Sequence, residues 1–253
     1  MMHQIKEGHV NVEHKHGITC IEFYHPNSNA LPGAILEVLA LEIHSAGVDN
    51  ETKVIVLRSA GDGVFCAGAS LKELKAIQTA QEGKHFFSGF ANVINAMRKC
   101  PKFIVARVQG KSVGGGVGLI AAADYAIGVE KCDIKLSELS IGIGPFVVAP
   151  AIERKIGVSA FSQLAIDATM WRPADWARKK GLFAELHPNI EDMDESVNRL
   201  ANELLHSSPE AMSAIKKITW KGTEDWDHLL LERATLSGSL VVSPAAKAVL
   251  DKL

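Results

Sequence analysis

The stretch from Phe103 to Pro145 constrains the fold more than any other part of the chain. It opens as an apolar, β-branched run (Phe103, Ile104, Val105, Val108), breaks at Gly110, and then places Gly114, Gly115 and Gly116 in a row. An alanine-rich, helix-competent stretch follows from Leu119 to Ala123, and a second β-branched run leads to one acid, Glu138. Three consecutive glycines cost backbone entropy that a helix start does not require, so they mark a place where another group comes close to the main chain. The first N–H groups of a helix have no partner inside it and favour negative charge. The segment therefore reads as strand, glycine corner, helix and strand, with main-chain donors beside Glu138.

The text before it has the same grammar. Residues 9–14 and 17–24 alternate apolar and polar around Lys15-His16-Gly17 and predict a β-hairpin. Asn27, Ser28 and Asn29 form a turn, and Leu31, Ile35, Val38, Leu39 and Ile43 then fall on one helical face that Gly47 ends. Residues 53–57 read as a buried strand. Ala67-Gly68-Ala69 is a second small-residue corner; after it Ser70 caps a helix, with Glu73 in the capping-box position. An amphipathic helix covers 86–97 and stops at Cys100-Pro101. Alternation of strands and helices predicts parallel strands joined by crossovers. After Pro145 the pattern turns helical: 151–157, 159–168 and 173–181 are short helix candidates, 183–186 is a short strand, and everything from about Glu191 is helical, with starts at Ser208-Pro209 and Ser243-Pro244. A boundary near Pro188 divides the chain into a core, 1–188, and a helical region, 189–253.

A length of 253 residues buries a core without staples. The net charge of -2 gives no basis for binding nucleic acid or an acidic membrane surface. Cys20, Cys66, Cys100 and Cys132 are scattered, as expected of reduced thiols in a cytoplasmic protein. The N-terminus shows no secretory pattern, no apolar run approaches the length of a membrane span, and the ten histidines show no metal spacing. Two nucleotide motifs are approached and not completed. Gly110-Lys111-Ser112 lacks the earlier glycine of a phosphate loop, since Val105 stands there. Residues 116–121 fit the dinucleotide pattern GxGxxA, but several strands and helices precede them. A third reading joins the two corners: Ala67-Gly68 and Gly114-Gly115-Gly116 both follow a strand and precede a helix, and could aim two N–H groups at one carbonyl oxygen that gains negative charge.

Here a resemblance enters. Phe65-Cys66-Ala67-Gly68-Ala69-Ser70-Leu71-Lys72-Glu73-Leu74, followed by Gly110-Lys111-Ser112-Val113-Gly114-Gly115-Gly116-Val117-Gly118-Leu119, resembles the enoyl-CoA hydratase/isomerase (crotonase) family. Segments 25–31, 101–110, 121–127 and 181–186 are similar to further landmarks of that family. The resemblance implies an α/β fold, a spiral of ββα turns with a helical C-terminal region that assembles trimers or hexamers. It implies an acyl-CoA thioester as substrate and partner, with coenzyme A as part of the substrate and no other cofactor.

Carried over by position, the oxyanion donors fall on Ala67 and Gly115 and the catalytic acid on Glu138. Ala30, Cys66, Gly68, Ala69, Gly114, Gly118 and Phe146 are expected around the substrate, with the Cys66 side chain turned to the core. The family's hydratases carry a second acid three residues after the oxyanion glycine. Here that residue is Gly118, and one remaining acid can take a proton from one carbon and return it to another. This favours double-bond isomerisation. Alternatives are a hydratase of the methylglutaconyl-CoA type, which the 65–74 stretch resembles most, a decarboxylating relative, and a catalytically weak acyl-CoA-binding homologue. Phe146 stands where the family has a glycine-rich loop, and Lys247 and Lys252 are candidate contacts to the coenzyme's phosphates.

Overall fold

The computed structural model describes residues 1–253. The chain begins with β1 (Met2–Ile5), which the sequence reading missed, and the expected hairpin, β2 (Gly8–Lys15) and β3 (Ile18–Tyr24). Then come α1 (Gly33–Val48), β4 (Val54–Ser59), α2 (Leu71–Ala76), α3 (Ala80–Lys99) and β5 (Phe103–Val108). The glycine segment supplies β6 (Ser112–Val113), α4 (Gly115–Ala122), β7 (Tyr125–Val129) and β8 (Ile134–Lys135), and ends in a 3-10 turn, Glu138–Ile141. Helices α5 (Ala149–Ile166) and α6 (Ala174–Lys179) lead to β9 (Glu185–His187). The remainder is helical: α7 (Ile190–Leu205), α8 (Pro209–Thr219), α9 (Trp226–Val241) and α10 (Pro244–Leu250).

The main sheet has seven strands in the order β1-β2-β3-β4-β5-β7-β9. The first two pairings are antiparallel and the rest parallel. Parallel strands covered on both faces need apolar side chains throughout, and Val54, Ile55, Val56 and Leu57 are all buried. A second row of pairings runs beside this sheet: Leu31 with Ala69, Cys66 with Ser112, β6 with β8, and Ile134 with Arg172. Each turn of chain thus passes through the main sheet, then this second row, then a helix. That periodicity stacks the corner at 66–69 directly on the corner at 112–115.

One cluster of 64 buried hydrophobic residues runs through the molecule and includes Met193, Val197, Trp226, Leu230 and Leu250 from beyond Pro188. The helices of the C-terminal region therefore share the core of the preceding residues: α7 covers β4, β5 and β7, and α9 lies along α3. The α3–α9 contact is close because Gly83 and Gly238 face each other; a Cβ on Gly83 would lie 2.7 Å from the Gly238 Cα. Arg107 of β5 and Asp194 of α7 add a two-pronged ion pair at 2.6 and 3.0 Å. The expected break between 151–157 and 159–168 falls inside α5, where Gly157 takes φ 80.

Ser70 caps α2 by accepting from the Glu73 N–H. The expected capping box is not completed, because the Glu73 carboxylate accepts instead from Gly33 N–H, the start of α1, at 2.8 Å. A reciprocal box forms one helix later, between Thr79 and Glu82. Asp124 accepts from Ile104 N–H, Lys216 Nζ and Trp220 Nε1, joining the start of β5 to α8 and the residue that follows it. No helix is long and apolar enough to cross a membrane.

Candidate active site

Stacked corners need a support that fixes their phase, and the turn at 27–29 provides it. Ser28 and Asn29 both adopt positive φ. The Asn29 side-chain amide donates to the Ala60 and Val64 carbonyls at 3.1 and 2.9 Å, and its oxygen accepts from His25 N–H. The turn is thereby tied to the loop after β4 that leads into the first corner. The Ser28 carbonyl then accepts from Ala67 N–H at 3.1 Å. Leu31 N–H donates to the Gly68 carbonyl, and Ser70 N–H to the Leu31 carbonyl. Between these bonds Ala69 N–H points away from Leu31 and has no protein acceptor. The first donor therefore belongs to Ala69, not to Ala67: the Ala67 N–H is already committed to Ser28.

On the second corner, Val113 N–H donates to the Cys66 carbonyl and Gly114 N–H to the Lys135 carbonyl. Gly115, the first residue of α4, has no acceptor for its N–H. The two free donors belong to adjoining backbones, since a Cβ on Gly68 would lie 2.9 Å from the Val113 oxygen and 3.7 Å from Gly115 N. Gly114 takes φ 52 and ψ -114, a conformation that residues with a side chain rarely adopt. It also lets Glu138 in, because a Cβ there would lie 2.5 Å from the Glu138 Oε1. The expectation that something approaches the three glycines closely is thus met three times: by Glu138 at Gly114, by the Phe90 ring at Gly115, and by Cys66 at Gly116.

Ala67, Gly68, Ala69, Gly114, Gly115, Glu138 and Phe146 line one cavity of about 210 Å3. Its other walls are mostly apolar: Leu71 and Leu74 of α2, Phe87 and Phe90 of α3, and Ile141, Ile143, Val147 and Val148. The phenylalanines sit on the buried face of α3, and their helical spacing was the one sequence signal for this wall. Ala30, Cys66 and Gly118 do not line the cavity, contrary to expectation. Ala30 is buried under the turn, and the Cys66 side chain is fully buried in the core. Gly118 is covered by Val148, whose Cγ1 would lie 2.4 Å from a Cβ at that position. The space a second acid would need is occupied.

Glu138 is the only acidic side chain on the cavity wall. The residue is half-buried, but its Oε2 is out of contact with solvent and has no hydrogen-bond partner. Lys135 does not pair with it; its ammonium lies over the Trp171 ring. Burial pushes the Glu138 carboxyl up to about 7, against a smaller downward pull from its own backbone N–H. A carboxylate poised near neutral pH suits a group that both takes and returns a proton. Glu73 is held at α1, and neither it nor Glu153 reaches the cavity. Lys247 donates to the Lys75 and Ile77 carbonyls at the end of α2, so its ammonium pins α10 rather than standing free for a phosphate.

Residues 13–237 match the family model described as enoyl-CoA hydratase/isomerase. The mouse (Mus musculus) protein named methylglutaconyl-CoA hydratase, mitochondrial, is 28% identical over 200 residues, covering 78% of this chain and 63% of its own length. The match thus spans less than two thirds of that relative. The short-chain-enoyl-CoA hydratase of Clostridium acetobutylicum is 27% identical over 197 residues, 78% of this chain and 74% of that protein. The crystal structure of an enoyl-CoA hydratase from Bacillus halodurans superposes with a TM-score of 0.88 at 21% identity, covering 96% of this chain and 99% of that one, and so shares the fold. With the family model matched over most of its length, the chain belongs to the enoyl-CoA hydratase/isomerase family.

Proposed function

We propose that the chain acts on an acyl-CoA thioester and moves a carbon–carbon double bond. The thioester oxygen accepts from Ala69 N–H and Gly115 N–H, unpartnered donors on the two adjoining corners. The Glu138 carboxylate removes a proton from the α-carbon of a 3-enoyl thioester. The electron pair moves onto the thioester oxygen as a dienolate, which the two donors hold. Glu138, now protonated, returns the proton to the γ-carbon and leaves a 2-enoyl thioester. The observation that carries this reading is the lone acid: Glu138 stands by itself in an apolar cavity, and Val148 fills the space over Gly118. Adding water across a double bond asks for one group to activate water and another to deliver a proton, and a second acid is missing here.

The hydratase reading is favoured by the names of the relatives, and one experiment separates the two. The protein is mixed with a 3-enoyl-CoA and, separately, with a 2-enoyl-CoA, and absorbance of the conjugated thioester is followed. Isomerisation raises absorbance with the first substrate; hydration lowers it with the second. Turnover of only the 2-enoyl-CoA, or turnover unchanged in Glu138→Gln, refutes the proposed mechanism.

We further propose assembly as a trimer or hexamer. Leu139, Val158, Ile166 and Ile218 are apolar side chains more than half exposed. Sedimentation at micromolar concentration tests this, and a monomer contradicts it.

A further inference from the structure

Residues 143–146 line the cavity that holds Glu138, and the same loop walls a second cavity of about 420 Å3. Ile143, Gly144, Pro145 and Phe146 line both. Phe146 brings the largest side chain of the four, and its position is fixed from below. The ring packs against Gly144 so tightly that a Cβ there would lie 2.4 Å from it. The loop itself is held at both sides of its start: Ile143 N–H donates to the Glu138 carbonyl at 3.1 Å, and Gly142, at φ 78, abuts Ala246 of α10. Leu139, Phe161, Ala165 and Leu240 give the second cavity an apolar side, and Glu153 and Arg233 stand on its wall as well.

We infer that Phe146 is the length stop of the acyl pocket, a ring that divides a short chamber beside Glu138 from a second chamber behind the loop. The inference rests on the reading of the first cavity as an acyl-thioester pocket. A chain that ends at the ring gains nothing from further carbons. With the ring removed, those carbons pass into the second chamber and bury surface there. Each methylene so buried is worth ~0.8 kcal/mol, a factor of about four in affinity.

The test is calorimetric titration of the full chain and its Phe146→Ala and Phe146→Leu variants with saturated straight-chain acyl-CoAs from butyryl to dodecanoyl. The leucine variant keeps most of the packing at the loop and remains informative if the alanine variant does not fold. In the unaltered protein, affinity rises with chain length and then levels off. In Phe146→Ala the plateau moves to longer chains, and the dodecanoyl-to-butyryl affinity ratio rises by an order of magnitude or more, as two extra buried methylenes require. Phe146→Leu moves it in the same direction by less. An unaltered protein that binds the series, with both variants levelling off at the same length as it does, overturns the inference and leaves the acyl pocket standing. An unaltered protein that binds no acyl-CoA overturns the pocket reading, and the length stop with it.

Discussion

Replacing Glu138 by glutamine changes the pH dependence of folding in a way the cavity dictates. The folded carboxyl holds its proton up to about pH 7, while the same group in the unfolded chain releases it near 4.5, the ordinary value for a glutamate. Between those limits the folded state carries more protons than the unfolded one, so stability falls as pH rises. That displacement corresponds to about 3 kcal/mol, fully lost above neutral pH. Glutamine has nearly the same shape and cannot ionise, so the variant lacks this slope. Urea unfolding of both proteins at about pH 5 and about pH 8 measures it. A buried amide without partners shifts the variant by a constant, so the informative quantity is the change with pH, in which all other titrating groups cancel. The expected result is that the protein loses roughly 2.5 kcal/mol relative to Glu138→Gln on going from pH 5 to pH 8, the rest having been lost already below pH 5. Parallel stabilities at the two pH values would show that the carboxyl is not desolvated, and the reasoning that makes it a poised base would fall.

The same ionisation sets activity: proton abstraction needs the carboxylate, so turnover of a 3-enoyl-CoA rises with pH through about 7 and levels off, which a pH–rate profile checks. Gly118→Glu puts a Cβ 2.4 Å from Val148 Cγ1 and should cost ~1–3 kcal/mol of stability by overpacking, seen in urea unfolding. Adding Val148→Gly removes the clashing atoms, and recovery of stability in the double variant confirms that Val148 fills that space. Gly114→Ala drives a methyl into Glu138 and forces a disfavoured φ, so turnover should drop by at least tenfold; activity within twofold of the unaltered protein would place the catalytic acid elsewhere. Asp194→Ala leaves the buried Arg107 without its half-exposed carboxylate and should destabilise by ~1–2 kcal/mol in urea unfolding.

Much of this was legible in the residues because it was local. The strands β4 and β5 are short apolar runs bounded by turn residues, and Glu138 stands where a β-branched run ends. The two corners could be paired by their common grammar of strand, small residues and helix. What was not legible depended on contacts between distant turns. Which N–H of Ala67-Gly68-Ala69 is free depends on Ser28, a position nearly forty residues earlier, and a shift of two residues exchanges a bonded amide for an open one. That Gly118 is closed off by Val148 is likewise invisible without the fold, though the absence of an acid there is plain in the text. The Glu73 carboxylate fits a capping box by spacing, yet the N-terminus of α1, carrying its own open N–H, competes for it and wins. The apolar wall from Phe87 and Phe90 follows from the helical period of α3, but nothing in that period says which cavity the face overlooks.

The central claim is that Ala69 and Gly115 N–H hold the thioester oxygen beside a single acid, and a crystal structure with a saturated acyl-CoA bound tests it most directly. The expected complex has the thioester oxygen within ~3 Å of both nitrogens, with the Glu138 carboxylate facing the α-carbon and no other acid near it. A thioester oxygen bound away from these two nitrogens, or a second carboxylate against the acyl chain, would contradict it.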